Sequence, residues 1–193
     1  DVPGHAVLAV DTALRMQETL ASLNDTLHAQ CGQRIAIGVG LHTGRAYVGN
    51  MGSEELLDYT AIGDAVNLTS RMEGLCSQYR VGITVSGDTA ALCAGEFVFQ
   101  HVDTLRVKGK KAPVDVFTPL RPAEAARRSE ELDAYARARA LYTSGDFCGA
   151  ASAFAELRRV HDVGLYALYA ERCEKLALAP PSEWDCIWSL VSK

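Results

Sequence analysis

Several features that would assign a protein class at once are missing from this sequence of 193 residues. No apolar run approaches the roughly 18–20 residues that a bilayer span needs, so no membrane segment is predicted. The formal net charge is −5 and basic residues form no long stripe, which argues against a nucleic-acid partner. The G-x-x-x-x-G-K-[ST] phosphate loop does not occur, and Gly38-Val39-Gly40 lacks the spacing of a dinucleotide fingerprint.

Metal-ligand and disulfide patterns are also missing. The five histidines are dispersed, and no C-x-x-C pair or nearby histidine stands at zinc-ligand spacing. We therefore predict reduced, structural thiols in a cytosolic protein. Because the chain starts at Asp1 and enters a helical pattern with no preceding strand, we also expect it to be a piece of a longer protein. The six scattered cysteines are Cys31, Cys76, Cys93, Cys148, Cys173 and Cys186.

The first 120 residues mix helical and strand patterns. Helical spacing of apolar residues predicts an amphipathic helix over 5–24, and residues 35–41 and 45–49 predict a β-hairpin around a His42-Thr43-Gly44 turn, followed by a loop over 49–52. Such a mixture favours an α/β sandwich in which helices cover a mainly antiparallel sheet. The further predicted strands are 57–62, 82–86, 97–102, 105–107 and 114–117, and the further helices are 64–74 and 87–93.

The composition changes to alanine-rich helix after Pro119 and Pro122. We predict a first domain over 1–120, a linker over 121–129 and a small all-α unit over 130–193. Its pattern A-L-Y-x-x-G-D-F-x-x-A-x-x-A-F resembles a tetratricopeptide helix pair, and residues 163–176 predict a third helix. Since about three such repeats are needed to stack, we expect this unit to pack on the first domain or on a protein partner. Trp184 and Trp188 in the tail are expected to dock, since exposing them would be costly.

The most informative stretch is residues 57–73, L-D-Y-T-A-I-G-D-A-V-N-L-T-S-R-M-E. It predicts a strand, a glycine corner and a helix capped by Asp64. Asn67 and Arg71 are four residues apart, so they project from one helix face. An amide can donate and accept at a sugar hydroxyl, and a guanidinium can donate two hydrogen bonds to a phosphate. Taken without the flanking motif, both could be ordinary solvated surface residues.

Three parts of the sequence together resemble one family. They are this stretch, H-T-G-R-A-Y-V-G-N-M-G-S at 42–53, and V-K-G-K at 107–110. The sequence from His5 to about Leu120 resembles the later part of the catalytic domain of class III nucleotidyl cyclases, the adenylyl and guanylyl cyclases. The resemblance implies a ferredoxin-like cyclase fold, incomplete at its N-terminus. It also implies a head-to-tail homodimer in which each active site draws residues from both subunits.

The resemblance assigns roles to four residues. Asn67 would orient the ribose, and Arg71 would stabilise the phosphate charge as the ribose 3′ oxygen attacks the α-phosphorus. Thr60 stands at the purine-reading position, where a hydroxyl favours ATP over GTP; the alternative is a threonine selected for strand propensity. Lys108 would contact the terminal phosphates, although three lysines around one glycine could equally be a solvated turn.

No metal ligand is predicted within the chain. Capping explains Asp64, and the pleat places Asp58 opposite to Tyr59, toward solvent. By the resemblance, two Mg²⁺ or Mn²⁺ ions would be held by aspartates of an earlier strand and hairpin, and a purine-reading lysine would also precede His5. Since these metals activate the attacking hydroxyl, we expect the chain alone, even as a dimer, to be inactive.

The intact protein is thus predicted to be an adenylyl cyclase that converts ATP to 3′,5′-cyclic AMP and pyrophosphate in cyclic-nucleotide signalling. The alternative is a non-catalytic cyclase-like module that dimerises and binds a protein partner through its helical unit. We expect a cytoplasmic location, or tethering to a membrane by a region upstream.

Overall fold

The structure, a computed structural model, describes residues 2–53, 56–106 and 112–189. The first part of the chain forms helices and strands in the order α1 (His5–Cys31), β1 (Val39–Leu41), β2 (Tyr47–Ser53), β3 (Leu56–Ile62), α2 (Asp64–Tyr79), β4 (Ile83–Ser86), α3 (Gly87–Ala91), β5 (Val98–Arg106) and β6 (Val114–Leu120). The remainder is mainly helical, with α4 (Pro122–Arg127), α5 (Ser129–Thr143), α6 (Phe147–Val160), α7 (Gly164–Leu178) and β7 (Trp188–Ser189). None of the helices in these residues has the length and apolar character to cross a membrane.

The strands of the described residues form a mixed sheet and a separate ribbon. The sheet has the order β1-β4-β6-β5-β7, in which β1 runs parallel to β4, β6 runs antiparallel to both β4 and β5, and β7 runs parallel to β5. The ribbon is the antiparallel pair β2 and β3, with Tyr47 opposite Ile62. The predicted α/β fold with a helical C-terminal part is confirmed.

The predicted hairpin over residues 35–49 is wrong. β1 pairs with β4 in the sheet, whereas β2 pairs with β3 in the ribbon, and the predicted loop over 49–52 lies inside β2. The segment between β1 and β2 does not form a tight turn because its side chains bond elsewhere. His42 Nδ1 lies 2.8 Å from Ser86 Oγ, and Thr43 Oγ1 lies 2.9 Å from Thr89 Oγ1.

Other predicted boundaries are also corrected. α1 continues past residue 24 to Cys31, and α2 continues past Gly74 to Tyr79. The strands predicted over 97–102 and 105–107 are one strand, β5, with a shift of register between His101 and Asp103. A β-bulge interrupts the alternation of side chains, so one strand resembles two in the sequence.

The larger of the two hydrophobic cores in the described residues joins the helical C-terminal part to the first part of the chain, as the prediction that this part packs on the first domain requires. Residues of α2 and β5 share this core with residues of α5, α6 and α7; the members include Leu68, Met72, Tyr79, Val102, Leu105, Tyr135, Tyr142, Phe154, Tyr166 and Tyr169. The expected docking of the tail is confirmed, since Trp184 Nε1 donates to the Tyr142 carbonyl at 3.1 Å. The short helix α4 occupies most of the predicted linker.

Candidate active site

The candidate site is built on β3 and α2, which meet at Gly63. Gly63 has φ 145°, a conformation that residues with a side chain rarely adopt, and it lies between the end of β3 and the first residue of α2. The predicted Asp64 cap is wrong, because the N-cap position is Gly63 and no side chain caps the helix. Asp64 is instead in the first turn, where its carboxylate still interacts favourably with the helix dipole.

β1 packs closely against the backbone of α2. A Cβ added to Gly40 of β1 would lie 2.3 Å from the backbone nitrogen of Glu73 in α2. Glycine is therefore required at position 40 for the strand and helix backbones to approach this closely. On the same side of α2, Leu68, Met72 and Leu75 are buried. This packing determines which face of α2 remains open to solvent.

Asn67 and Arg71 lie on that open face. Both residues are exposed, and the Asn67 backbone N–H donates to the Gly63 carbonyl at 3.1 Å in the first turn of the helix. Thr60 lies in β3 opposite Gly49 of β2 and is also exposed. The structure therefore places these three predicted site residues on one continuous strand, corner and helix, all facing solvent. Lys108 lies outside the described residues.

The site is an open face rather than an enclosed pocket. A cleft of about 760 Å³ lies between α1 and the second half of α2, with Glu73 and Ser77 in its wall, but Thr60, Asn67 and Arg71 do not line it. An amide and a guanidinium on an open face can bind a polar, anionic ligand. Water would be excluded from the bound ligand only when a second surface covers this open face.

The ribbon next to this face exposes large apolar side chains on both of its sides. Tyr47 is 78% exposed on the side that carries Thr60, and Tyr59 is 76% exposed on the other side, near Val48 and Leu57. Asp58 is exposed as predicted, but Tyr59 on the opposite side of the ribbon is exposed too, so the pleat does not separate a buried side from a solvent side here. Apolar surface of this extent on a two-stranded ribbon is typical of a protein interaction site.

The described residues contain no cluster of three His, Cys, Asp or Glu side chains that could hold a metal ion. Asp58 and Asp64 are exposed residues on β3 and α2 and belong to no such cluster. The described residues therefore supply no cluster that could hold the two metal ions, whose aspartate ligands the resemblance places before His5.

The buried end of α2 carries a charged network that sequence reasoning missed. Tyr79 Oη donates to Asp103 Oδ2 at 2.7 Å, and Arg172 Nη1 of α7 donates to the same oxygen at 2.5 Å. Arg172 Nη2 also donates to Tyr79 Oη at 3.3 Å. A signal was available in the sequence: Arg172 stands three residues after Tyr169 and next to Cys173, on the apolar face of its helix.

The network keeps Tyr79 and Arg172 protonated. Burial and the nearby Asp103 carboxylate raise the pKa of Tyr79 well above its ordinary value, so its hydroxyl remains a hydrogen-bond donor. Burial alone would lower the pKa of Arg172, but the negative charge of Asp103 outweighs burial and the net shift is upward. Tyr79 and Arg172 thus keep their protons, and both donate to the Asp103 carboxylate.

These features of fold and site define a nucleotide-cyclase-like domain, and the comparison with known families agrees. The family profile "Adenylate and Guanylate cyclase catalytic domain" matches residues 1–118, so the chain belongs to this family. The match ends before α4. The tetratricopeptide resemblance of the helical part is not confirmed and stays a prediction.

Individual relatives include both kinds of cyclase. Adenylate cyclase 1 of Rhizobium meliloti is 35% identical over 113 residues, which cover 58% of this chain and 17% of that protein. The crystal structure of the adenylyl cyclase CyaB from P. aeruginosa matches with a TM-score of 0.54 and 32% identity, covering 60% of this chain and 58% of that one. The guanylate cyclase domain of RhGC from Catenaria anguillulae, solved in complex with GTP, matches with a TM-score of 0.51 and 33% identity, covering 62% of each chain. The chain thus spans a small part of the first relative and about three fifths of the two solved chains.

Proposed function

We propose that this chain is the nucleotide-reading part of an adenylyl cyclase, a phosphorus–oxygen lyase that converts ATP to 3′,5′-cyclic AMP and pyrophosphate. The observation that carries the proposal is the joint exposure of Thr60, Asn67 and Arg71 on β3 and α2 of a chain that belongs to the cyclase family. Relatives of both nucleotide specificities match, so the preference for ATP over GTP rests on the hydroxyl of Thr60.

Each of these residues has a role that its chemistry can perform. Thr60 hydrogen-bonds the adenine, and the Asn67 amide orients the ribose hydroxyls. Arg71 stabilises the charge that grows on the phosphate as the 3′ oxygen attacks, because its planar guanidinium can donate two parallel hydrogen bonds. Lys108 is proposed to hold the outgoing pyrophosphate. Two Mg²⁺ or Mn²⁺ ions would be held by aspartates upstream of this chain.

A second copy of the chain is the proposed cover for the open face. The ribbon exposes Tyr47 and Tyr59 on opposite sides, and burial of such side chains is a strong driving force for association. A homodimer formed through this part of the molecule would cover Thr60, Asn67 and Arg71 with the partner's surface. This arrangement would give each site residues from both subunits.

Complementation tests the proposal. The chain is mixed with a longer form of the same protein that includes the proposed upstream aspartates and carries Asn67→Ala and Arg71→Ala. In a mixed dimer, one site combines the aspartates of the long form with Asn67 and Arg71 of this chain. We expect cyclic AMP from ATP, identified by mass spectrometry, and at least about a hundredfold less product when this chain carries the same two substitutions.

Two further results would separate the alternatives. Thr60→Cys in this chain should shift the product ratio toward cyclic GMP when ATP and GTP are supplied together, because the purine contact changes. If a mixed dimer forms, as seen by sedimentation, but makes neither product, the cyclase proposal is wrong. The non-catalytic module that dimerises and binds a protein partner would then be the better reading.

A further inference from the structure

The helical C-terminal part reaches the candidate site through α2. Tyr79 is the last residue of α2 and is fully buried, while Asn67 and Arg71 lie on the exposed face of the same helix. At 1.5 Å per residue, Tyr79 lies roughly 12 Å along the helix from Arg71. A contact that holds Tyr79 therefore limits both the tilt and the rotation of the helix that carries the two site residues.

Tyr79 is held by charged groups from two other elements. Asp103 of β5 has no exposed side-chain surface, and the side chain of Arg172 of α7 is 6% exposed. The single oxygen Asp103 Oδ2 accepts from both Tyr79 and Arg172, and Arg172 also donates to Tyr79 Oη. Each of the three groups thus contacts the other two, which fixes their relative positions more strictly than apolar packing does.

Other parts of the C-terminal region hold Arg172 in turn. Its guanidinium carbon lies 3.9 Å from the centre of the Trp188 ring in the tail and 4.9 Å from that of Tyr169 in α7. The other carboxylate oxygen, Asp103 Oδ1, accepts from the Thr104 backbone N–H at 2.9 Å and lies 3.6 Å from Arg139 Nη1 of α5. Groups from α5, α7 and the tail therefore contact Asp103 or Arg172, the two residues that hold Tyr79 of α2.

We propose that Asp103 and Arg172 are positioning residues that clamp Tyr79 and so orient Asn67 and Arg71 on α2. The helical C-terminal part then supports the reaction through α2, because it holds the helix that carries Asn67 and Arg71. This inference rests on the proposed function for the roles of Asn67 and Arg71. The clamp itself rests on the contacts of Tyr79, Asp103 and Arg172.

The sharpest test removes one oxygen atom. Tyr79→Phe keeps the buried ring, whose centre lies 5.5 Å from the Arg172 guanidinium carbon, and the Asp103–Arg172 ion pair, but it removes the hydrogen bonds that join α2 to both residues. Tyr135→Phe is the matched control, since Tyr135 is a buried tyrosine of α5 whose hydroxyl donates to the His101 carbonyl at 2.7 Å, without contact to Tyr79 through that bond. Arg172→Lys is a second variant, because a lysine keeps the charge beside Asp103 but lacks the fork that also reaches Tyr79.

Two measurements are made on these variants of the full chain. In Tyr79→Phe and Arg172→Lys, the amides of α2 should exchange about tenfold faster than in the unsubstituted chain, with the amides of α6 as the internal reference. In Tyr135→Phe, the exchange of the α2 amides should not become faster. In the complementation mixture, kcat should fall about tenfold with KM changed less than about twofold, because misplaced groups lose mainly transition-state contacts.

Equal α2 exchange in Tyr79→Phe and Tyr135→Phe would overturn the clamp. Faster exchange with unchanged kcat would overturn its role in positioning. If the unsubstituted mixture makes no cyclic nucleotide, the cyclase proposal fails by itself. The exchange comparison still confirms or overturns the clamp in that case.

Discussion

At the scale of single residues, the sequence predicts on which strand and helix the three candidate site residues lie, but not which residues support them. Thr60, Asn67 and Arg71 belong to one continuous motif, so their spacing alone places them on a strand and a helix face. The clamp joins Tyr79, Asp103 and Arg172, which are up to 93 residues apart in the chain. The position of Arg172 on the apolar face of α7 indicates a buried arginine, but no local pattern predicts which residues it contacts.

His101 is a residue whose environment predicts a pH dependence. Arginine can only donate, so Arg139 Nη2, 2.7 Å away, donates to Nδ1 of the ring. Burial and the positive charge of Arg139 lower the pKa of His101 below its ordinary 6.5, although Asp115 and Asp103 act in the opposite direction. A proton on Nδ1 would break this hydrogen bond and place two cations in contact.

Stability should therefore fall as the pH decreases below about 6.5. A histidine with a lowered folded-state pKa takes up a proton more readily in the unfolded chain, so acid favours unfolding until the pH is below both pKa values. We expect the urea midpoint to decrease between pH 7 and pH 5, and His101→Gln to reduce this decrease. His28→Gln, at an exposed position of α1, is the control and should keep the wild-type pH profile. An unchanged profile in His101→Gln would contradict the assignment.

At the scale of elements, the existence of most helices and strands could be predicted, but their pairing could not. The apolar pattern of residues 35–41 predicts a strand correctly in kind, yet β1 is confined to Val39–Leu41 and pairs with β4. Beside this pairing, Gly40 closely approaches α2, and His42 and Thr43 bond to Ser86 and Thr89 at the start of α3. These contacts join distant parts of the chain, so hairpin rules applied to neighbouring residues gave the wrong pairing.

The contact between β1 and α2 yields a prediction with a control in the same helix. Gly40→Ala places a methyl group where the Glu73 backbone nitrogen lies 2.3 Å away, so α2 must move. We expect a loss of about 1–3 kcal/mol in the free energy of unfolding, typical of overpacking. Gly74→Ala adds the same methyl group to the interior of α2, where nothing lies within 4 Å.

Gly74→Ala should raise the free energy of unfolding by about 0.5–1 kcal/mol, because alanine loses less backbone entropy in a helix. Urea denaturation followed by circular dichroism measures both variants. Gly40→Ala should also reduce product in the complementation mixture, since Asn67 and Arg71 move with α2. If Gly40→Ala is as stable as Gly74→Ala, the close approach of strand and helix is not present in solution.

At the scale of the whole molecule, the helical C-terminal part shares a core with the first part of the chain, whereas the ribbon leaves apolar surface exposed. The core that contains Met72 of α2 also contains Phe154 of α6 and Tyr166 of α7, so the C-terminal helices are part of the same packed unit. The ribbon β2–β3 is different, since large apolar side chains remain exposed on both of its sides. The candidate site lies where the ribbon continues into α2. A second subunit placed there would cover both at once.

This placement predicts that the ribbon controls association. Replacing Tyr47 and Tyr59 by serine should raise the dimer dissociation constant at least about tenfold, because buried aromatic side chains dominate interface energetics. Their exposure, 78% and 76%, means that the fold of a single chain should be unaffected. Sedimentation velocity over a range of concentrations measures association, and circular dichroism checks the fold. Leu178→Ser, at a position 88% exposed on α7, is the control and should leave association unchanged. If Leu178→Ser weakens association as much as the ribbon variant, the ribbon is not the specific dimer contact. If the unsubstituted chain stays monomeric at high concentration, the ribbon does not drive dimerisation. In either case another surface must cover Asn67 and Arg71.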